Sequence, residues 1–184
     1  MSESRARLLR IVETGVMVGL AVALSVLKLW EMPQGGTVTA GSMIPILLIA
    51  LRHGPKWGIA AGLMDGLLQY VVDGYVVHPV QFLLDYPIAF AMLGLAGFAA
   101  GRSEAVGAWL GSLAIFGRFA AHTLAGVVFF AEYAGDQNVW VYSATYNAAY
   151  LLPELVISAG LMMLLLPALR RALPTGIQPL QKGA

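Results

Sequence analysis

From Ile11 to Trp30 the chain runs twenty residues with only Glu13 and Lys28 charged, and no other feature limits its fold so strongly. As a helix such a run spans a bilayer, which takes about 20 predominantly apolar residues. More apolar runs follow. Of all residues 59% are hydrophobic and 11% charged, with a mean hydropathy of +0.76. A soluble domain carries about 25% charged residues, so this inventory cannot make an aqueous surface. The chain reads as an integral membrane protein. Its first apolar run is too long for a cleavable signal and continues into the body of the protein. The absence of cysteine excludes a disulfide framework and a thiolate metal site. A formal net charge of +1 argues against a nucleic-acid partner.

Periodicity and punctuation divide the chain into six helical segments within one membrane domain, residues 1–184. The expected helices are 11–30, 43–51, 57–72, 80–101, 106–130 and 145–169. The second is about 13 Å long as a helix, too short to cross upright, and is expected at half depth or strongly tilted. Residues 31–42, EMPQGGTVTAGS, are expected to form a flexible loop that closes over a site or merely connects helices. Pro55 is placed to start the third helix. Two series of small residues recur at four-residue spacing: Gly15, Gly19 and Ala23 in the first helix, and Gly58, Gly62 and Gly66 in the third. Such stripes let helices approach closely in lipid. For the third helix close packing on a neighbour is expected; for the first, internal packing and docking of another helix both stay open.

Six segments place both termini on one side, and the charges choose that side. With the termini cytoplasmic, the inner ends hold Arg5, Arg7, Arg10, Arg52, Lys56, Arg102, Arg170, Arg171 and Lys182, nine of the eleven Lys and Arg. Only Lys28 and Arg118 are left over, so the positive-inside rule favours this topology. Glu31, Asp73, Asp85, Glu132 and Asp136 gather at the outer ends with Tyr75, Tyr86, Tyr133, Trp140 and Tyr142. A site among them would open outward.

The stretch Arg118–Glu154 is an aromatic and polar seam between two apolar helices. Arg118, His122 and Gly126 share one helix face, with Phe129 and Phe130 beside it, while Asn147, Tyr150 and Glu154 share a face of the next helix. A polar link holding Glu132, Tyr133, Asp136, Trp140 and Tyr142 is expected between them. Asp85 lies just inside the fourth helix next to Tyr86. It is either a ligand-binding carboxylate or an acid satisfying free N–H groups at the helix start. His122 is read as a ring that stacks on a ligand, against the alternative of a packed histidine. Arg118 is expected to pair with an acid and hold the bundle together, with Asp65 and Glu13 as further possible partners. Glu154 is a structural hydrogen-bonding group or one that supports the site from behind. Trp140 belongs to the interfacial aromatic belt, whereas Tyr142 and Tyr146 stand between that belt and ligand contact.

No catalytic constellation emerges. The chain has neither HExxH nor GxxxxGK[ST], and no nucleophile–base pair is evident. His53, His78 and His122 fall at different expected depths, so no metal site and no cofactor is expected. With no ATPase domain of its own, uphill movement of a substrate would draw on an ion gradient or on a partner.

GPKWGIAAGLMDGLLQYVV, the pair Asp85–Tyr86, and the series HTLAGVVFFAEYA…VWVYSATYNAAYLLPE together carry a resemblance. Over nearly its whole length the chain resembles the thiamine-specific S-component, the substrate-binding membrane subunit, of energy-coupling factor transporters. The resemblance implies an all-α six-helix bundle with both termini cytoplasmic, in a bacterial cytoplasmic membrane. It implies capture of thiamine from outside, with a membrane scaffold subunit and two cytoplasmic ATPases as partners. Asp85 stands where the family has a ligand-binding carboxylate, often glutamate. Tyr86, Tyr75, His122, Tyr142 and Asn147 fall on ligand-contact positions, and Phe130 falls where a relative has tryptophan. Gly15, Gly19 and Ala23 take the place of the small-residue stripe presented to the scaffold.

The chemistry agrees. Thiamine carries a permanently positive thiazolium, which aromatic faces attract, and an aminopyrimidine suited to a carboxylate and an amide. Asp for Glu shortens the reach by about one methylene, and Phe for Trp weakens a cation–π platform. These departures leave room for a thiamine precursor or another vitamin. An autonomous secondary transporter, with Asp85, Arg118 and Glu154 as coupling groups, is a rival from another class.

Overall fold

The computed structural model describes residues 3–172. Lys182 and the polar tail lie outside the described residues. Six helices and one short hairpin make the fold: α1 (Glu3–Ser25), β1 (Lys28–Glu31), β2 (Thr37–Thr39), α2 (Ile44–His53), α3 (Pro55–Asp73), α4 (Pro79–Ala99), α5 (Glu104–Phe129) and α6 (Val139–Ala172). Among the described residues α1, α4, α5 and the Val139–Leu169 part of α6 are long and apolar enough to cross a membrane. Val16, Val71, Phe98, Trp109, Phe116, Val156 and Leu164 face outward from the bundle, as an apolar jacket in lipid would.

The first helix corrects the expected 11–30. It is already helical at Glu3, since Arg5, Arg7 and Arg10 are good helix formers, and it ends at Ser25, whose hydroxyl bonds back to the Val22 carbonyl at 2.8 Å. The next residues pair instead of winding: Lys28 faces Thr39, Trp30 faces Val38 and Glu31 faces Thr37 in an antiparallel register with a bulge at Leu29. Gly35 turns the hairpin at φ +94°, in the left-handed region open to glycine. Most of the expected flexible loop is therefore an ordered hairpin. Lys28 ties its base to the end of α3 through Asp73 at 2.5 Å and also meets Glu31 at 2.9 Å.

Helix α2 is apolar all round and sits in the core, with Ile46 and Leu47 fully enclosed beside Val18, Leu93, Ile115 and Met162. Gly54 and Pro55 turn it directly into α3. Here the glycine series does what its spacing predicts. Gly58 lies against Ala50 and Gly94, Gly62 against Phe90 and Ala91, and Gly66 against Tyr86 and Pro87, so α4 rests backbone to backbone on α3.

Helix α4 is not regular. Pro87 has no N–H to give the preceding turn, and the chain widens into a π turn over Leu84–Ile88 before recovering. It tightens to 3-10 geometry over Gly94–Ala99. Helix α5 starts behind Ser103, whose hydroxyl accepts from the Val106 N–H at 3.4 Å. Helix α6 corrects the expected start at 145. Asn138 accepts from the Trp140 and Val141 N–H groups at 3.0 and 3.3 Å and caps the helix six residues earlier. Trp140 and Tyr142 are consequently helical, not part of the link, and the link shrinks to a 3-10 turn over Ala131–Ala134 with a few residues beyond it.

The two ends of the bundle differ in charge. At one end Arg52 grips Glu13 through Nε and Nη2, both at 2.9 Å, and His53 meets the same carboxylate at 2.5 Å. The α4–α5 turn with Arg102 lies beside Leu51 and Leu166 at that end. At the other end are the hairpin, the 73–79 turn and the α5–α6 link, and the polar and aromatic seam lies beneath them.

A polar and aromatic candidate binding site

The π turn sets the site. It presents Asp85 and Tyr86 from the first half of α4, and π turns recur at functional positions because they re-aim side chains without breaking the helix. Gln81, one turn earlier and 2% exposed, donates to Asp85 Oδ2 at 2.7 Å. Its amide also accepts from the Val77 N–H at 3.1 Å and donates to the Tyr75 carbonyl at 3.3 Å. The Tyr86 hydroxyl accepts from the Tyr75 N–H at 2.8 Å. Gln81 and Tyr86 thus stitch the 73–79 turn onto α4.

His122 reaches across from α5 and places Nδ1 at 2.8 Å from Asp85 Oδ1. Its ring meets the edge of Tyr150 on α6, with centroids 6.3 Å apart. Tyr150, Tyr146 and Tyr142 follow one another along α6 at 6.2 Å steps. The Tyr150 hydroxyl donates to Asn147 Oδ1 at 2.7 Å, and Asn147 Nδ2 donates to the Ser143 carbonyl at 2.9 Å. This fixes which way the Asn147 amide points, and leaves one lone pair of Oδ1 for anything else.

The structure therefore joins Asp85, His122, Tyr150, Asn147, Tyr146 and Tyr142 in one continuous chain of contacts across three helices. Phe130, Tyr75 and Tyr86 form a second group, with the Phe130 and Tyr75 rings stacked at 6.4 Å. It touches the first through the neighbours Asp85 and Tyr86. The hairpin closes over α6: the Gly36 N–H donates to the Tyr146 hydroxyl at 3.4 Å, and Gly36 lies against the Tyr150 ring. Glu154 anchors it from below, its Oε1 accepting from the Thr39 N–H and hydroxyl at 2.5 and 2.6 Å.

Arg118 departs from expectation. Among the described residues it forms no ion pair; Glu13 is taken by Arg52 and His53, and Asp65 accepts from Gln69 at 3.1 Å. The guanidinium instead lies 4.0 Å from the Phe90 ring centroid and its Nε donates to His122 Nε2 at 3.2 Å. Sequence reasoning passed over Gln81, and put Tyr150 on the Asn147 face of the seam without assigning it a ligand contact. Four-residue spacing from Asp85 and three-residue spacing from Asn147 were the signals available.

An open groove of about 430 Å³ lies elsewhere, between α5 and α6, lined by Glu104, Ala105, Ala108, Trp109, Ser112, Ala159 and Met163. It starts 18 residues before His122 on α5, about 27 Å along the helix, and holds little to recognise a polar molecule. The polar and aromatic cluster is at the hairpin end.

A membrane helix bundle with a carboxylate–imidazole pair, a tyrosine ladder and a short strand hairpin at one end defines a small-molecule-binding membrane protein. Comparison narrows this. Residues 11–173 match the family model described as thiamine transporter protein, and the chain belongs to that family. It is 41% identical over 181 residues to the thiamine transporter ThiT of Bacillus subtilis (strain 168), covering 90% of this chain and 93% of that protein. It is 31% identical over 187 residues to the ThiT of Lacticaseibacillus paracasei, covering 91% of this chain and 92% of that protein. The solved structure of ThiT from Listeria monocytogenes superposes with a TM-score of 0.75 at 23% identity, covering 95% of this chain and all of that one. The six-helix fold expected from the resemblance is the fold found.

Proposed function

We propose that the protein is the high-affinity thiamine-capture subunit of an energy-coupling factor transporter, a multi-pass protein of a bacterial cytoplasmic membrane. The observation that carries the reading is the Asp85–His122 pair joined to aromatic rings from α4, α5 and α6 under the hairpin, in a chain of the thiamine transporter family. Asp85 offers a charged acceptor to the aminopyrimidine amine. The rings of Tyr86, Tyr75 and Phe130 on one side and of Tyr142 and Tyr146 on the other offer faces to the thiazolium, each worth about 0.5–2 kcal/mol. Asn147 contributes its remaining acceptor. The hairpin would lift to admit the vitamin and settle to enclose it. The protein catalyses no reaction; a scaffold subunit docking on Gly15, Gly19 and Ala23, with two cytoplasmic ATPases, would drive release inward.

The test is thiamine titration of the purified protein, followed by tryptophan fluorescence and by calorimetry. Trp30 lies in the hairpin and serves as the reporter. Tight, saturable binding is expected, weakened at least about tenfold by Asp85→Ala and by His122→Ala, since a hydrogen bond to a charged group is worth about 1.5–3 kcal/mol. A folded protein that takes up no thiamine in the calorimeter refutes the proposal.

A further inference from the structure

Among the described residues Arg118 is a cation within the membrane helices with no carboxylate paired to it, and its hydrogen bond to His122 has a chemical consequence. An arginine Nε–H is always a donor, because the guanidinium does not deprotonate in proteins. It points at His122 Nε2 from 3.2 Å. That nitrogen must accept, so it carries no proton. The neutral ring then has its proton on Nδ1, which faces Asp85 Oδ1 at 2.8 Å. Asp85 Oδ2 meanwhile receives Gln81 Nε2–H at 2.7 Å. All the hydrogen bonds run one way, from Arg118 through His122 to Asp85, with Gln81 donating from the other side. A second proton on His122 would face Arg118 donor to donor and cation to cation.

We propose that Arg118 is a positioning residue that holds His122 neutral in the Nδ1–H tautomer, so that Asp85 keeps its full charge for a cationic ligand at any pH the cell surface meets. The proposal rests on reading the Asp85–His122 pair as the thiamine site. An imidazole in water titrates near 6.5; a charged His122 would neutralise Asp85 and repel the thiazolium. The groups facing His122 are Asp85 of α4, Arg118 of its own helix and Tyr150 of α6. The charges acting on it are those of Asp85 and Arg118. The charge of Arg118 also reaches Asp65 of α3 and Glu154 of α6. Neither of these buried acids touches the cation, and the guanidinium rests over the Phe90 ring at 4.0 Å.

Two measurements test this. Thiamine affinity by calorimetry between pH 5.5 and 8 is expected to be flat for the natural chain. For Arg118→Met, which keeps an apolar stem over Phe90, it is expected to match near pH 8 and then to fall, approaching tenfold per pH unit in the acid range. A flat profile for Arg118→Met overturns the proposal. Independently, nitrogen-15 NMR of ring-labelled natural protein is expected to show the Nδ1–H tautomer of His122 with no titration over the same range. An Nε2–H ring, or one that titrates there, overturns the proposal even if the variant fails to fold. Absence of thiamine binding at every pH overturns the thiamine reading alone, since the NMR result still decides the tautomer.

Discussion

Helices α1 and α3 carry the same pattern, small residues every four positions, in opposite surroundings. A Cβ added at Gly62 would stand 2.9 Å from Ala91 Cα, and one at Gly58 would stand 2.9 Å from Gly94 Cα. Among the described residues, a Cβ added at Gly15 or Gly19 would meet no neighbouring element within 4 Å, and both are exposed. Helices in lipid gain no hydrophobic drive from meeting each other, so close approach over small residues is a main source of association. On α3 that approach is complete, and it seats the π turn that presents Asp85. On α1 it is open. The same sequence signature thus marks an internal seam in one helix and a bare face in the other, and four substitutions can separate the two.

The largest effect is expected from Gly62→Val, which drives two methyl groups into the Phe90–Ala91 backbone. Backbone cannot give way as a side chain can, and overpacking of this kind costs about 3 kcal/mol or more. Thermal unfolding in detergent should show a large drop in Tm together with loss of thiamine binding. An unchanged Tm would mean that α3 and α4 are not in contact as described. Gly66→Ala is the milder form at the site itself, since Gly66 lies under the Tyr86 carbonyl and Pro87. A loss of about 1–3 kcal/mol is expected, and the displaced π turn should also weaken thiamine by about tenfold in the same calorimetry. Stability lost without affinity would detach the glycine seam from the site.

Gly36 is an intermediate case. It is also covered, but by the ring of Tyr150, on a hairpin that other contacts retain. Gly36→Ala should lift the hairpin tip with under about 1 kcal/mol of stability lost, in line with a change outside the core. Its mark should be faster thiamine dissociation in stopped-flow fluorescence. An unchanged off-rate would argue against the hairpin as the cover.

Where hydropathy and spacing act alone, the sequence was readable. The six helices, the α3 seam and the shared face of Asn147, Tyr150 and Glu154 all follow from periods of three and four. What escaped was decided by single polar partners. Asn138 starts α6 early, and a hydropathy window sees only a polar residue to avoid. The hairpin forms because Thr39 has Glu154 to bond and Lys28 has Asp73, partners 115 and 45 residues away. Arg118 took an imidazole and an aromatic ring in place of an acid, a choice set by which helix faces meet. The pairing of Asp85 with His122 is of the same kind: each residue was identifiable as intramembrane and polar, and only the fold brings them within 2.8 Å.

The smallest effect on stability, and the most informative, is expected on α1. Replacing Gly15 and Gly19 together by Leu meets open space, and an exposed helical Gly costs up to about 1 kcal/mol relative to a good helix former. The doubly substituted protein should be as stable as the natural one or slightly more so, and should bind thiamine with unchanged affinity, because α1 contributes no residue to the site. If the open face is where the scaffold subunit docks, two bulky side chains in the stripe should abolish co-purification with the scaffold and ATP-driven uptake in vesicles. Retained assembly would show that the bare stripe on α1 faces only lipid, and that its likeness to the stripe on α3 is one of spacing without a shared purpose.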